Sequence, residues 1–288
     1  MRRGPVTVRS DMQVRFCGVR GSTPSPGPEY VRYGGNTSCV AVFHDDELHP
    51  RLILDAGTGL QRLSAYLGDT PFCGTLLLGH LHWDHTHGLP FFRSGTCEGA
   101  IARLFLPAQG EEPEPLLARF MSPPHFPIPP ALLGAGWSFH ALEEGTHEFE
   151  GFRVLAREIP HKGGRMFGYR ISDEHSSLAY MSDHHPVGAG PGDDGLGELH
   201  ENALALADGV DLLIHDAQHT ADEYERLSFL GHATPDYAVR LGRTAGAKNI
   251  ALFHHDPWRT DDQVDAIVSK FDDEHVFGAA EETTVSLG

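Results

Sequence analysis

The segment Gly79-His80-Leu81-His82-Trp83-Asp84-His85 follows directly on the apolar run Thr75–Leu78. Residues i and i+2 at the end of an extended strand point the same way, so His80 and His82 can grip one metal ion. Asp84 and His85 come as the chain turns, and they can reach a second ion. Imidazole and carboxylate suit zinc, manganese or iron, and the lack of cysteine ligands argues against a purely structural zinc finger. HxHxDH alone supplies too few ligands for two ions, so the rest must come from later strand ends. His161 follows the strand-like run that ends at Ile159. Asp183 closes Ala179-Tyr180-Met181-Ser182-Asp183 and could bridge both ions through its two oxygens. Ala251-Leu252-Phe253 ends on tandem His254-His255, one of which should complete the second site. Each sits where open α/β folds place their ligands.

The elements that must position these residues alternate along the chain. Period and β-branched content predict strands at Gln13–Val19, Cys39–Phe43, Arg51–Asp55, Thr75–Gly79, Ile101–Leu106, Phe152–Ile159, Met166–Ile171, Leu178–Ser182, Asp211–Asp216 and Asn249–Phe253. Helices are predicted at Leu60–Leu67, Pro115–Met121, Glu201–Ala207, Ala221–Leu227, Pro235–Ala245 and Asp261–Phe271, with Thr234 as N-cap before Pro235. Two sheets with helices outside, in one α/β domain spanning 1–288, follow from that pattern. The stretch Pro107–Pro130 carries eight prolines and cannot be regular throughout. With Phe120, His125 and Phe126 it is expected to overhang the cleft and shape the substrate pocket. Gly190–Gly195 matches GxGxxG formally, but no helix pattern opens there and two aspartates would face a phosphate. No P-loop or serine-hydrolase elbow is present.

The 288 residues are 40% hydrophobic and 22% charged, which suits a globular chain. No apolar run approaches the roughly 18 residues of a membrane helix. The basic start Met1–Arg9 has no apolar segment behind it, which argues against a signal peptide. Cys17, Cys39, Cys73 and Cys97 form no CxxC pair, as expected of reduced thiols in the cytoplasm. The net charge of −18 should repel phosphate backbones and anionic lipid, so the expectation is a small anionic substrate, no long nucleic acid and no membrane.

The order His80-x-His82-x-Asp84-His85, His161, Asp183, His254 resembles the metallo-β-lactamase superfamily over almost the whole chain. The resemblance implies a four-layer αββα sandwich with a two-metal site along one edge, and it selects His254 over His255. Leu54-Asp55-Ala56-Gly57-Thr58-Gly59 matches the superfamily's early aspartate-glycine turn and implies that Asp55 organises the ligands. His215-Asp216-Ala217 and Gly231-His232-Ala233-Thr234 resemble segments of the ribonuclease Z and phosphodiesterase branch, with Asp216 replacing a glutamate. They imply an acid–histidine pair that protonates the leaving group. The loops Cys17–Pro24 and Gly34–Ser38 resemble the same branch. A full ribonuclease Z is not expected, because only 22 residues separate His161 from Asp183, where its substrate-clamping arm would lie.

The expected activity is therefore binuclear hydrolysis of a small cyclic or linear phosphodiester. Two divalent ions, zinc first with manganese or iron also fitting, would provide a hydroxide, with Asp84, Asp216 and His232 as the catalytic set. A thioester or lactone hydrolase and a non-hydrolytic iron oxidoreductase or accessory protein are the alternatives. A homodimer is a family expectation. Lys162, Arg165, Arg20 and Asn36 are further candidates for substrate-anion contacts.

Overall fold

The computed structural model describes residues 12–45 and 47–288. The basic start Met1–Arg9 lies outside the described residues. The first sheet takes β1 (Met12–Gly18), β2 (Cys39–Phe43), β3 (Leu52–Leu54), β4 (Cys73–Leu77), β5 (Ile101–Pro107) and β6 (Trp137–Leu142). The second takes β7 (Gly145–Phe149), β8 (Phe152–Glu158), β9 (Phe167–Ser172), β10 (Ser177–Met181), β11 (Leu212–Asp216), β12 (Asn249–Phe253) and β13 (Val276–Gly278). The last strand, β14 (Thr284–Leu287), returns to pair antiparallel with β1. The spatial orders are β14-β1-β2-β3-β4-β5-β6 and β13-β12-β11-β10-β9-β8-β7. In each sheet one half is antiparallel and the other parallel, β3 to β6 in the first and β10 to β13 in the second.

Three apolar layers separate four structural ones. Phe16, Val40, Leu54, Tyr169, Tyr180 and Phe253 pack between the sheets. Leu60, Leu63, Leu76, Phe92 and Leu104 fill the space between the first sheet and its helices, and Met181, Leu206, Leu213, Tyr237 and Leu241 do so for the second. This is the αββα sandwich. It explains why β10 and β11 are buried at every position: helices cover one face and the other sheet covers the opposite one. Each fully buried large apolar side chain contributes roughly 1.5–3 kcal/mol.

The helix Pro235–Ala245 begins where Thr234 Oγ1 accepts from Tyr237 N at 3.1 Å, and it ends at Gly246 in the left-handed region. Capping boxes at Thr220 with Glu223 and Thr260 with Gln263 start Ala221–Leu227 and Asp261–Val268. The last of these gives way to a 3-10 turn at Ser269–Phe271, so the expected helix to Phe271 is shorter. The proline-rich stretch holds one short helix, Pro113–Ala118, two residues ahead of the expected start. Strands β6, β7, β13 and β14 had no counterpart in the sequence reading. Among the described residues no helix is long and apolar enough to cross a membrane.

Arg20 is wholly buried. Its guanidinium donates to Gly34 O at 2.8 Å and Arg259 O at 2.7 Å and pairs with Asp261 at 3.2 Å, tying the loop after β1 to the last helix. It is therefore a structural cation and not a substrate contact. Asp261→Ala should cost about 3–5 kcal/mol by leaving that charge unpaired. Removing Arg32, whose close partners Asp262 and Asp265 are exposed and whose guanidinium only reaches Asp261 at 4.0 Å, should cost about 0–1 kcal/mol. Urea unfolding midpoints check both, and equal losses would refute the distinction.

Candidate active site

The site lies at the carboxyl ends of the parallel strands. β3 runs into Asp55, β4 into His80, β10 into Asp183, β11 ends on Asp216 and β12 runs into His254. His161 follows β8, and His232 precedes the helix Pro235–Ala245. Donor atoms lie within 4.8 Å of one another in four groups: His80, His82 and His161; His80, His85 and Asp183; Asp84, His85 and His254; Asp183, His232 and His254. Shared members link these into one continuous centre, and its mouth is a cleft of about 350 Å³ lined by Ser22, Leu81, His82, Trp83, Asp183 and His232, among others.

The hydrogen bonds decide which ring atoms face inward. Asp55 Oδ2 can only accept, so His85 Nδ1, 2.7 Å away, is the donor and its Nε2 is turned into the centre. That Nε2 lies 2.9 Å from Asp183 Oδ2, yet neither atom has a partner in hydrogen-bonding geometry. His161 Nδ1 likewise donates to Gly231 O at 2.8 Å, which turns its Nε2 toward His82 Nδ1 at 3.3 Å. Both ring nitrogens of His80 and Nδ1 of His254 are also buried without partners. Lone pairs and carboxylate oxygens that converge without donors between them fit divalent cations. Asp55 itself accepts from Gly79 N and Tyr180 OH, both at 2.7 Å, which fixes the first turn of the motif.

Burial opposes charge throughout the centre. It pushes His80 well below the ordinary imidazole range and His161 down to about 4, leaving both neutral as metal ligation requires. At His85 the carboxylates of Asp84, Asp183 and Asp55 outweigh burial and raise the pKa well above normal. At His232 Asp216 does most to overcome burial, and the pKa rises to about 9. Asp216 accepts from His184 N at 3.1 Å and Ala233 N at 3.0 Å through Oδ2, and from Gln218 N at 3.0 Å through Oδ1. His232 Nδ1 lies 3.1 Å from the same Oδ2.

The tandem histidines separate cleanly. His254 Nε2 is 3.1 Å from Asp84 Oδ2, whereas His255 Nε2 donates to Ala279 O at 2.9 Å, away from the centre. His184 is buried against His215, its Nδ1 3.0 Å from His215 Nε2. The candidates for substrate-anion contacts are all engaged: Arg165 with Glu158 and Glu143, Lys162 with Phe229 O, and Asn36 with Glu281. Three contributors escaped the sequence reading. Ser22 N donates to Asp84 Oδ2 at 2.7 Å, Tyr180 holds Asp55, and Gly21 lets the chain pass close by, since a Cβ there would sit 2.4 Å from His254 Nδ1. No residue-type pattern announces a backbone donor or a contact between two sheets.

A family model described as the beta-lactamase superfamily domain matches residues 50–255. The chain belongs to the metallo-β-lactamase superfamily. Ribonuclease Z of Haloarcula marismortui is 26% identical over 279 residues, covering 84% of this chain and 86% of that protein. The metallo-β-lactamase fold protein YhfI of Bacillus subtilis superposes with a TM-score of 0.71 at 16% identity, over 96% of this chain and 100% of that one. A diphosphatase of the PhnP family does so with a TM-score of 0.70 at 16% identity, over 96% and 98%. The ribonuclease relative corrects the expectation that long nucleic acid is excluded. That expectation used a charge summed over the whole chain, whereas phosphate binding responds to the local field, which bound divalent cations dominate. The compact β9–β10 hairpin between His161 and Asp183 is as the spacing required.

The two tandem histidines should differ on substitution. His254→Ala should lower the divalent metal carried by the purified protein. His255→Ala should leave metal content unchanged and lower only thermal stability. Elemental analysis with thermal melts checks this, and metal loss in both variants would contradict the division.

Proposed function

We propose that this metal-dependent hydrolase of phosphodiester bonds works with two divalent ions, zinc first by its ligand set, as a single domain over residues 1–288 in the cytoplasm. His80, His82 and His161 would hold one ion, Asp84, His85 and His254 the other, and Asp183 would bridge them. The observation that carries this reading is that Asp183 joins these groups while the Asp216–His232 pair opens onto the same cleft. Such ions supply Lewis acidity toward phosphoryl oxygens and make water nucleophilic at neutral pH.

The chain's own residues do the rest. Three backbone N–H groups fix the Asp216 carboxylate, so it sets the tautomer of His232 by accepting from Nδ1–H. No partner for His232 Nε2 is found among the described residues, and the ring lines the cleft. Nε2–H gives its proton to the departing oxygen as the P–O bond breaks, which an alkoxide needs and a nitrophenolate does not. Asp84, held by Ser22 N, keeps the turn of the motif facing the cleft. A small cyclic or linear phosphodiester suits a cleft of about 350 Å³, and RNA belongs beside it in the test because of the relative's name.

Protein purified without added metal should contain about two zinc or manganese ions per chain and turn over bis-p-nitrophenyl phosphate. Asp183→Ala should lose both ions together. Asp216→Asn and His232→Ala should slow a diester with an alkoxide leaving group by about 10²–10⁴, and slow bis-p-nitrophenyl phosphate far less. Equal losses on both substrates would remove the leaving-group role. Iron, or turnover confined to carboxylic esters and thioesters, would overturn the reading.

A further inference from the structure

Beside the metal cleft lies a second cavity of about 720 Å³, and Trp83 lines both. Its other walls include His87, Phe91, Phe120, Met121 and Phe126, the last three from the proline-rich stretch. The rings are set as separate surfaces. Trp83 stacks on His87 at 5.6 Å and 18°, and Phe91 meets Phe126 edge-on at 5.9 Å and 88°. Trp83 is 66% exposed and Phe91 55%, although the chain buries most of its large apolar side chains. In a chain of net charge −18 this lining holds no carboxylate, and its one arginine, Arg119, is paired with Glu111 at 2.6 Å. Trp83 stands between His82 and Asp84 in the chain and lines both cavities, so a group resting on its ring lies next to the metal centre.

We propose that this cavity takes a planar, uncharged aromatic ring carried by the phosphodiester, of the kind a nucleobase presents, while the phosphorus sits among His82, Asp84, Asp183 and His232. The proposal rests on the phosphodiesterase reading above. A volume of this size holds a drug-sized ligand, and an apolar aromatic wall beside a few polar groups is the usual form of such sites. Stacking on an aromatic face tolerates any base and offers a bare sugar little, so the substrate class is an ester bearing an aromatic ring.

Two pairs of probes differ only in the base: adenosine against ribose, and adenosine 5′-monophosphate against ribose 5-phosphate. Calorimetric titration of the purified metal-loaded protein should show adenosine binding where ribose does not. The nucleotide should bind about tenfold or more tighter than the sugar phosphate, as base stacking predicts. Trp83→Ala should collapse that ratio. Phe126→Ala, remote from the ligand motif, should lower it with metal content unchanged. Equal binding within each pair, or a ratio that survives both substitutions, would overturn the subsite. Adenosine binding with no phosphodiester turnover would overturn the hydrolase reading and leave the aromatic site standing. Turnover without a preference for the base would do the reverse.

Discussion

The Asp183 carboxylate is the constraint on which the centre depends. With Asp55, Asp84 and Asp216 beside it, it is one of four buried aspartates in the centre, and a buried carboxylate without compensation costs several kcal/mol. Three of the four are met by fixed donors. Asp55 has Gly79 N, Tyr180 OH and His85; Asp216 has three backbone N–H groups and His232; Asp84 has Ser22 N. Asp183 has no backbone donor among the described residues. It is ringed by the imidazoles of His85, His161, His232 and His254 at 2.9–3.8 Å. The carboxylates raise His85 and His232, but burial drives His161 neutral, so these rings cannot all supply the positive charge. Cations shared with the surrounding lone pairs resolve the conflict, and the rest of the site arranges those lone pairs.

That arrangement needs two sheets. The first brings Asp55 and the histidine motif, the second brings Asp183, Asp216 and His254, and three of the four ligand groups draw on both. Two hydroxyls bolt the halves together: Tyr180 reaches Asp55 and Tyr169 donates to Leu78 O at 2.6 Å. Both phenols are wholly buried and sit among the apolar side chains between the sheets. Core packing and ligand alignment are therefore one requirement. Asp55 and His254 also adopt left-handed backbone angles, φ 59° and 57°, at the strand ends where the chain must turn to face inward. Such positions store of order 1 kcal/mol or more, which the surrounding bonds must hold in place.

Helix ends were legible in the sequence where local chemistry sets them. Thr234-Pro235 announces a start that the structure reproduces to the residue. The buried strands β10 and β11 were legible because both faces are covered and their apolar runs are unbroken. β6, β7 and β14 were not. They lie at sheet edges, and β7 alternates half-buried with exposed polar residues, so period alone cannot tell it from a loop. The side chains that converge on the centre were legible from spacing, but the choice between His254 and His255 came from resemblance. Only the structure shows why: one residue further on, the chain runs beside Ala279 and the next ring points out of the centre.

Net charge misled for a related reason. A sum of −18 describes the far field, which steers encounter and decays over about 8 Å at physiological salt. Within the cleft the relevant groups are a handful of buried carboxylates whose charge the histidines and bound cations offset. Beside it the wall built by Trp83, Phe91 and Phe126 carries no carboxylate. A phosphate approaching this mouth meets a local field set by those few groups, while the acidic residues that dominate the sum lie mostly on solvated faces elsewhere. Whole-chain charge therefore bears on how fast an anion arrives and on the salt dependence of arrival, and it has little authority over whether the anion, long or short, is bound once there.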